Sequence, residues 1–105
     1  MNIQDFDTYR VEELKEIKIN DKTPESMTVP YDSKLIKQAR LKDRLINDEQ
    51  VFVVSTQKAK PRYRFKYGQT VKLQGPFFET TAECFGTQEY IHKGFRMIGY
   101  FFQWK

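Results

Sequence analysis

The 105-residue chain contains one cysteine and one histidine, Cys84 and His92. A structural zinc site takes four Cys or His ligands and an internal disulfide takes two cysteines, so both kinds of site are excluded. No apolar run approaches the roughly 18 residues of a membrane helix, and residues 1–10 lack the basic start and apolar centre of a signal peptide. We therefore expect a cytoplasmic protein without a membrane segment, a metal or another cofactor.

Groups for covalent or acid–base catalysis are also scarce. His92 precedes Lys93 and Gly94, where the sequence predicts a tight hairpin turn, and Cys84 falls on the apolar side of a predicted strand. The five glycines are scattered at turn-like positions and form no phosphate-binding loop. A non-enzymatic protein is the favoured interpretation. Glu79 and Glu83, which would share a strand face, leave acid–base catalysis open as an alternative.

Aromatic residues are abundant: nine Phe, six Tyr and one Trp make up 15% of the chain. They can fill the core of one small domain, whereas 105 residues leave too little chain for a second core. We therefore predict a single domain spanning residues 1–105.

Short strands separated by turn residues dominate the second half of the sequence. The predicted strands are residues 50–56, 62–67, 71–73, 78–86 and 95–104, the last being apolar on both faces as in a central strand. Residues 27–31 alternate like a short extended segment, and residues 33–46 fit either a helix capped by Ser33 or a strand. The predicted fold class is mainly β, a small antiparallel OB-like barrel or curved sheet with at most one or two short helices; it becomes α+β if residues 33–46 are helical.

The net charge of +4 conceals an uneven distribution along the chain. Residues 1–32 carry four cationic and eight anionic side chains, whereas residues 33–72 carry eleven cationic side chains against three anionic ones, a balance of +8. A positive cluster of this size attracts polyanions, of which nucleic acid is the commonest in cytoplasm. The alternative is a solvated face that pairs with the acidic first third of the same chain.

Residues 62–67 alternate strictly between basic and aromatic side chains, with Tyr63, Phe65 and Tyr67 on the aromatic side. In a strand, the basic side chains would project every 6.6 to 7 Å or so, close to the phosphate spacing of an extended single strand. Exposed tyrosine or tryptophan rings would stack on bases, and the candidates are Tyr67, Tyr90, Tyr100 and Trp104. Binding of this kind is largely sequence-independent and sensitive to salt. The predicted nucleic-acid-binding residues are Lys58, Lys60, Arg62, Arg64, Lys66, Tyr67 and Lys72.

A series of short motifs between residues 50 and 101 has a recognisable order and spacing. The motifs are residues 51–54, a basic stretch, residues 65–68, residues 71–73, Pro76, Gly86, residues 94–95 and a closing apolar strand. In this respect residues 50–101 resemble the HelP (helicase processivity) family of small proteins from Gram-positive conjugative elements. The resemblance implies a β-barrel accessory factor that binds single-stranded DNA and helps a host helicase during rolling-circle replication and transfer. It also implies that Phe65, Val71, Leu73 and Phe95 belong to the core, with Lys66 and Lys72 as basic neighbours.

The expected function is that of a non-enzymatic, largely sequence-independent single-stranded DNA-binding accessory protein of a mobile element. Its expected partners are single-stranded nucleic acid, with DNA favoured over RNA, and a host helicase or another replication or transfer protein. The alternative is a phage or plasmid structural or inhibitory protein that binds another protein through a sheet edge or its basic surface.

Overall fold

The computed structural model describes residues 17–28, 50–76 and 78–104, which form one antiparallel sheet. Its strands run in the order β1-β4-β5-β6-β3-β2. They are β1 (Lys18–Ile19), β2 (Ser26–Thr28), β3 (Gln50–Gln57), β4 (Thr70–Gln74), β5 (Glu79–His92) and β6 (Phe95–Trp104). The described ranges contain strands and loops but no helix, which confirms the mainly β prediction. The helix-or-strand question at residues 33–46 and the extended pattern beyond Thr28 lie outside the described residues.

In the described part of the chain, no helix has the length and apolarity that a membrane crossing requires.

The sheet curls because its two edge strands are close in the sequence. Strands β1 and β2 lie at opposite edges, yet only residues 20–25 separate them. A flat six-stranded sheet would hold its edges about 24 Å apart, at about 4.8 Å per pair of strands. The chain folds back between Ile19 and Lys22, so the connection reaches roughly 20 Å at most. The sheet therefore bends into a half-barrel whose two edges are joined by residues 20–25.

Two tight turns have positive φ at both central residues. The φ values are 51° and 66° at Asn20 and Asp21, and 51° and 82° at Lys93 and Gly94. Two successive positive values are typical of the type I′ turn, whose twist matches that of the strands it joins. Asn and Asp enter the left-handed region more readily than other side-chain-bearing residues, and glycine does so without strain. The hairpin turn predicted at Lys93 and Gly94 is thus confirmed.

The main core lies on one face of the sheet, here called the inner face. Phe52 stacks on Phe102 with ring centroids 5.3 Å apart, and Trp104 packs against Phe52 at 5.7 Å. Val71, Leu73, Ala82 and Cys84 from β4 and β5 complete this cluster with Ile17, Ile19, Met27, Val54 and Tyr100. A smaller cluster around Val53 and Phe101 lies on the opposite, outer face. Because β6 pairs with both β3 and β5, it is the central strand that its two apolar faces predict.

Two predictions about strands and one about the core need correction. Strand β5 continues past Gly86 to His92, because a bulge between Cys84 and Gly86 lets its pairing with β6 resume one residue later. Residues 62–67 belong to no strand and form part of a loop. Phe95, expected in the core, is 57% exposed, because it pairs with His92 beyond the end of β3.

Candidate nucleic-acid interface

Residues 58–69 connect β3 to β4 and carry most of the predicted binding residues; we call them the basic loop. The loop crosses the inner face of the sheet, where Phe65 packs edge-to-face against two core rings. Its ring centroid lies 5.1 Å from that of Tyr100 and 5.0 Å from that of Phe102. Phe65 therefore fixes the middle of the loop to the central strand.

Tyr63 provides the second attachment of the basic loop. Its hydroxyl donates a hydrogen bond to the carbonyl oxygen of Ser55 at 2.6 Å and accepts one from the backbone N–H of Glu25 at 3.0 Å. Burial is the main reason why the pKa of Tyr63 is raised to about 12, since the neutral phenol is favoured where solvent is excluded. The hydroxyl thus joins the loop to β3 and to the residue preceding β2.

The basic side chains of the loop point away from the core. Tyr63 and Phe65 are half-buried, whereas Arg62, Arg64 and Lys66 are exposed. The predicted strand is wrong here, but the predicted alternation of these five side chains is present. It is imposed by the two inward rings, because residues on either side of each ring must face solvent.

Tyr67 lies at the apex of a tight turn and is 81% exposed. Gln69 N–H donates to the Lys66 carbonyl oxygen at 3.0 Å, and the positive φ of 84° at Gly68 is what the third position of a type II turn requires. Gly68 N–H then donates to the Cys84 carbonyl oxygen at 2.7 Å, which attaches the turn to β5. The strict alternation predicted that Tyr67 lies on the same face as Tyr63 and Phe65. Because of the turn, the Tyr67 side chain instead points away from the core and its ring faces solvent.

Ion pairs neutralise some of the predicted cations. Lys58 pairs with Glu89, and Lys72 Nζ lies 3.2 Å from Glu79 Oε1. The contact of Arg62 with Glu25 is looser, with Nε and Oε1 3.9 Å apart. Within the described ranges, the remaining three loop cations form no ion pair; they are Lys60, Arg64 and Lys66.

Glu25 belongs to the acidic first third of the chain, so part of the intramolecular pairing considered above does occur. Its other carboxylate oxygen accepts the Gln57 N–H at 3.2 Å, and its side chain is 19% exposed. This carboxylate is held at the end of β3 and reaches only Arg62 among the loop cations. The positive charge of the loop is thus reduced at its first arginine and retained beyond it.

Lys72 is separated from the other predicted binding residues by the sheet. Val71 and Leu73 are buried in the inner cluster, and adjacent side chains of a strand point to opposite faces, so Lys72 projects from the outer face. Its backbone makes two hydrogen bonds with Asn20. The Lys72 N–H donates to Asn20 Oδ1 at 2.9 Å, and the Lys72 carbonyl oxygen accepts the Asn20 N–H at 2.9 Å. The structure therefore does not bring Lys72 together with the basic loop.

Three of the four proposed stacking rings are not available to a base. Tyr100 and Trp104 are 4% and 0% exposed, because they face the inner cluster from the central strand. Tyr90 packs in the outer cluster and donates its hydroxyl proton to Ser55 Oγ at 2.7 Å. Tyr67 is left as the solvent-facing ring of the four.

A cavity of about 260 Å³ opens between the basic loop and residues 20–25. No sequence pattern pointed to it, because its walls come from segments some forty residues apart that meet only when the sheet edges are joined. Lys22, an additional cation, lies in its wall. The adjacent Asn20 and Asp21, residue types that favour turns and tolerate positive φ, are a local sequence signal in its vicinity. The lining residues are Ile19, Asn20, Lys22, Pro24, Val54, Arg62, Tyr63, Arg64, Phe65 and Gln69.

The residues considered for catalysis are placed as the sequence indicated. Cys84 is fully buried, and burial raises the pKa of its thiol. His92 is exposed at the end of β5, next to the hairpin turn. Across the described segments, no three His, Cys, Asp or Glu side chains are grouped so that they could hold a metal ion.

Comparison with known proteins does not assign a family. No protein-family model, curated protein sequence or solved structure matches the chain. A function is therefore inferred from the geometry and charge of the site itself.

Proposed function

We propose that the protein is a non-enzymatic single-stranded nucleic-acid-binding protein, with DNA favoured, and that the basic loop is its binding surface. One observation carries the proposal. Tyr63 and Phe65 anchor the loop inward, so Arg62, Arg64 and Lys66 face solvent next to the 81% exposed ring of Tyr67.

The chemistry of the loop suits a polyanion with exposed ring faces. Arg64, Lys66 and Lys60 supply positive charge for phosphates, and Arg62 joins them when phosphate displaces its 3.9 Å contact with Glu25. Tyr67 supplies a stacking platform, worth about 1 to 3 kcal/mol per base and tolerant of sequence. Because such contacts read no base edge, binding is largely sequence-independent.

A single strand fits this surface better than a duplex. The face of a base is covered by its neighbours in a duplex and becomes accessible where the strand is unpaired. The Tyr67 ring can thus stack on an unpaired base of a single strand, whereas an intact double helix offers it no exposed base face. The resemblance of residues 50–101 to the HelP family supports a more specific role, that of an accessory factor of a mobile element that assists a host helicase.

Fluorescence anisotropy with labelled oligodeoxythymidylate of about twelve nucleotides tests the proposal, since such small barrels cover ~4–16 nucleotides. If four cations each contact a phosphate, the dissociation constant rises about 50-fold between about 50 and 200 mM salt. A duplex of equal length is the comparison and is expected to bind more weakly. Absence of binding at low salt, or a dissociation constant that does not change with salt concentration, would overturn the proposal.

A protein-binding role is the second candidate, and the end of the β5–β6 hairpin favours it. Ile91 and Phe95 are 72% and 57% exposed there, on opposite faces of the two-stranded ribbon. Exposed apolar side chains at a projecting tip suit insertion into a partner protein. Pull-down from a nuclease-treated host lysate separates the candidates, because a protein partner survives the nuclease and a DNA-bridged one does not.

A further inference from the structure

The cavity beside the basic loop has the dimensions of a site for one small ring system. Its volume of about 260 Å³ is slightly below the range of ~300–1,000 Å³ that is usual for drug-sized ligands. It is bounded on one side by residues 62–65 of the loop and on the other by Asn20, Lys22 and Pro24. These dimensions suit a single planar group better than an extended chain.

The walls of the cavity are aromatic and apolar, with a few polar groups. Ile19 and Val54 contribute aliphatic surface, and Tyr63 and Phe65 contribute half-buried rings. Asn20 and Gln69 also line the space, and their amide oxygens already accept the N–H groups of Lys72 and Lys66. Their amide nitrogens take no part in these two hydrogen bonds and can donate to the carbonyl oxygens and ring nitrogens of a ligand.

The charge at the cavity is positive. Lys22, Arg62 and Arg64 line it and are exposed to solvent, so each can reach an anion at the mouth. Glu25 contacts Arg62 at 3.9 Å and balances one of the three charges. A ligand that combines a planar ring with an attached anion matches this arrangement, and a nucleotide unit has that composition.

We propose that the cavity binds one unstacked base of the single strand, with its flanking phosphates held by Lys22 and Arg64. The inference depends on the proposed function and makes it more specific. It adds to the phosphate-binding set a cation outside the basic loop, Lys22, and a second base-binding position besides Tyr67. A strand bound in this way is held by one base in the cavity and another base on the turn.

The first experiment separates base binding from phosphate binding. Anisotropy compares oligodeoxythymidylate of about twelve nucleotides with a strand of equal length and charge whose residues are all abasic. It is done in the Tyr67→Ala variant, which removes stacking on the turn. The intact strand is expected to bind between ~5-fold and ~150-fold more tightly, the range for one buried or stacked base. Equal affinities with normal salt dependence would contradict base binding in the cavity but leave the proposed function intact. If the wild type bound neither strand, the proposed function itself would be contradicted.

The second experiment locates the base. Methyl groups of Ile19 and Val54 are observed by NMR during titration with each of the two strands, and Ile91 at the hairpin tip serves as the reference. Shifts at Ile19 and Val54 are expected with the intact strand, and none with the abasic strand. Identical shifts with both strands, or no shift at either methyl, would contradict the assignment.

A matched pair of lysine substitutions tests whether Lys22 holds a phosphate at the mouth of the cavity. Lys22→Gln is expected to weaken binding of the intact strand and to reduce the magnitude of the salt slope by about 0.7. Lys18→Gln is the control, because Lys18 is also exposed on the same segment but faces outward opposite Gln74. Equal effects of the two substitutions would show that Lys22 acts only through the net charge of the protein.

Discussion

The phenolic oxygen of Tyr63 lies 2.6 Å from the carbonyl oxygen of Ser55 and accepts the N–H of Glu25 at 3.0 Å. One hydroxyl therefore connects the basic loop to β3 and to the residues that join the two sheet edges. The same side chain lines the cavity. Stability of the half-barrel and the position of the basic loop, the proposed binding surface, depend on this shared contact.

Tyr63→Phe is expected to lower the free energy of unfolding by about 1 to 3 kcal/mol, because it leaves the partly buried N–H of Glu25 without its acceptor. Urea denaturation measures the change. Tyr67→Phe removes the same atom from an 81% exposed ring and is expected to stay within about 0.5 kcal/mol of the wild type. Equal midpoints for wild type and Tyr63→Phe would show that the hydroxyl contributes nothing to stability.

The stabilising contribution of Tyr63 is also expected to decrease at alkaline pH. Its pKa is 10.0 when unperturbed and about 12 in the folded protein, mainly because of burial. The contribution is therefore fully present below pH 10 and is lost as pH rises through about 12. Denaturation of wild type and Tyr63→Phe across this interval should show their stability difference shrinking. A constant difference would contradict the raised pKa.

The sequence predicted the sheet well where apolar residues form a continuous run. Strands β3 and β6 lie where the apolar runs placed them, and the turn at Lys93 and Gly94 joins β5 to β6. The end of β5 was predicted too early because glycine in a strand pattern commonly marks the end of the strand. In the structure a bulge between Cys84 and Gly86 lets the pairing with β6 continue. The curl was not derivable locally, since it depends on which strands occupy the edges.

The candidate site was predictable in part. Alternation correctly indicated which of Arg62, Tyr63, Arg64 and Phe65 face solvent, although the segment is a loop. Tyr67 broke the pattern because Gly68 permits a turn with positive φ. The position of Lys72 and the cavity both depend on the tertiary arrangement of β4 and residues 20–25, about which spacing along the chain carries no information.

Gly75 is expected to tolerate no side chain. The ring of Phe78 occupies the place where a Cβ would lie, and the Gly75 N–H donates to the Phe78 carbonyl oxygen at 2.9 Å. Gly75→Ala should therefore destabilise the protein by about 1 to 3 kcal/mol, measured by urea denaturation. Gly86→Ala is the matched control, because a Cβ there meets nothing within 4 Å. Similar losses at both glycines would contradict the packing of Phe78.

Replacing Arg64 and Lys66, two of the three loop cations that form no ion pair within the described residues, should reduce phosphate binding. The double substitution Arg64→Gln and Lys66→Gln is expected to lower the magnitude of the salt slope by about 1.4, at about 0.7 per cation on a single strand. Anisotropy over a salt series measures it. Lys72→Gln is the control, since Lys72 projects from the outer face and pairs with Glu79. A reduction of about 0.7 with Lys72→Gln would mean that the strand follows the outer face.

Tyr67→Ala is expected to weaken single-strand binding without changing stability. The ring is 81% exposed, so its removal costs little packing, whereas loss of a stacked base costs about 1 to 3 kcal/mol of binding free energy. Anisotropy at fixed salt measures the affinity, and urea denaturation verifies the fold. Tyr67→Phe retains the ring and should bind like the wild type, which separates stacking from hydrogen bonding by the hydroxyl. The salt slope should stay the same in both variants, because neither removes a charge. Unchanged affinity in Tyr67→Ala would mean that the turn does not contact a base and that the basic side chains alone hold the strand.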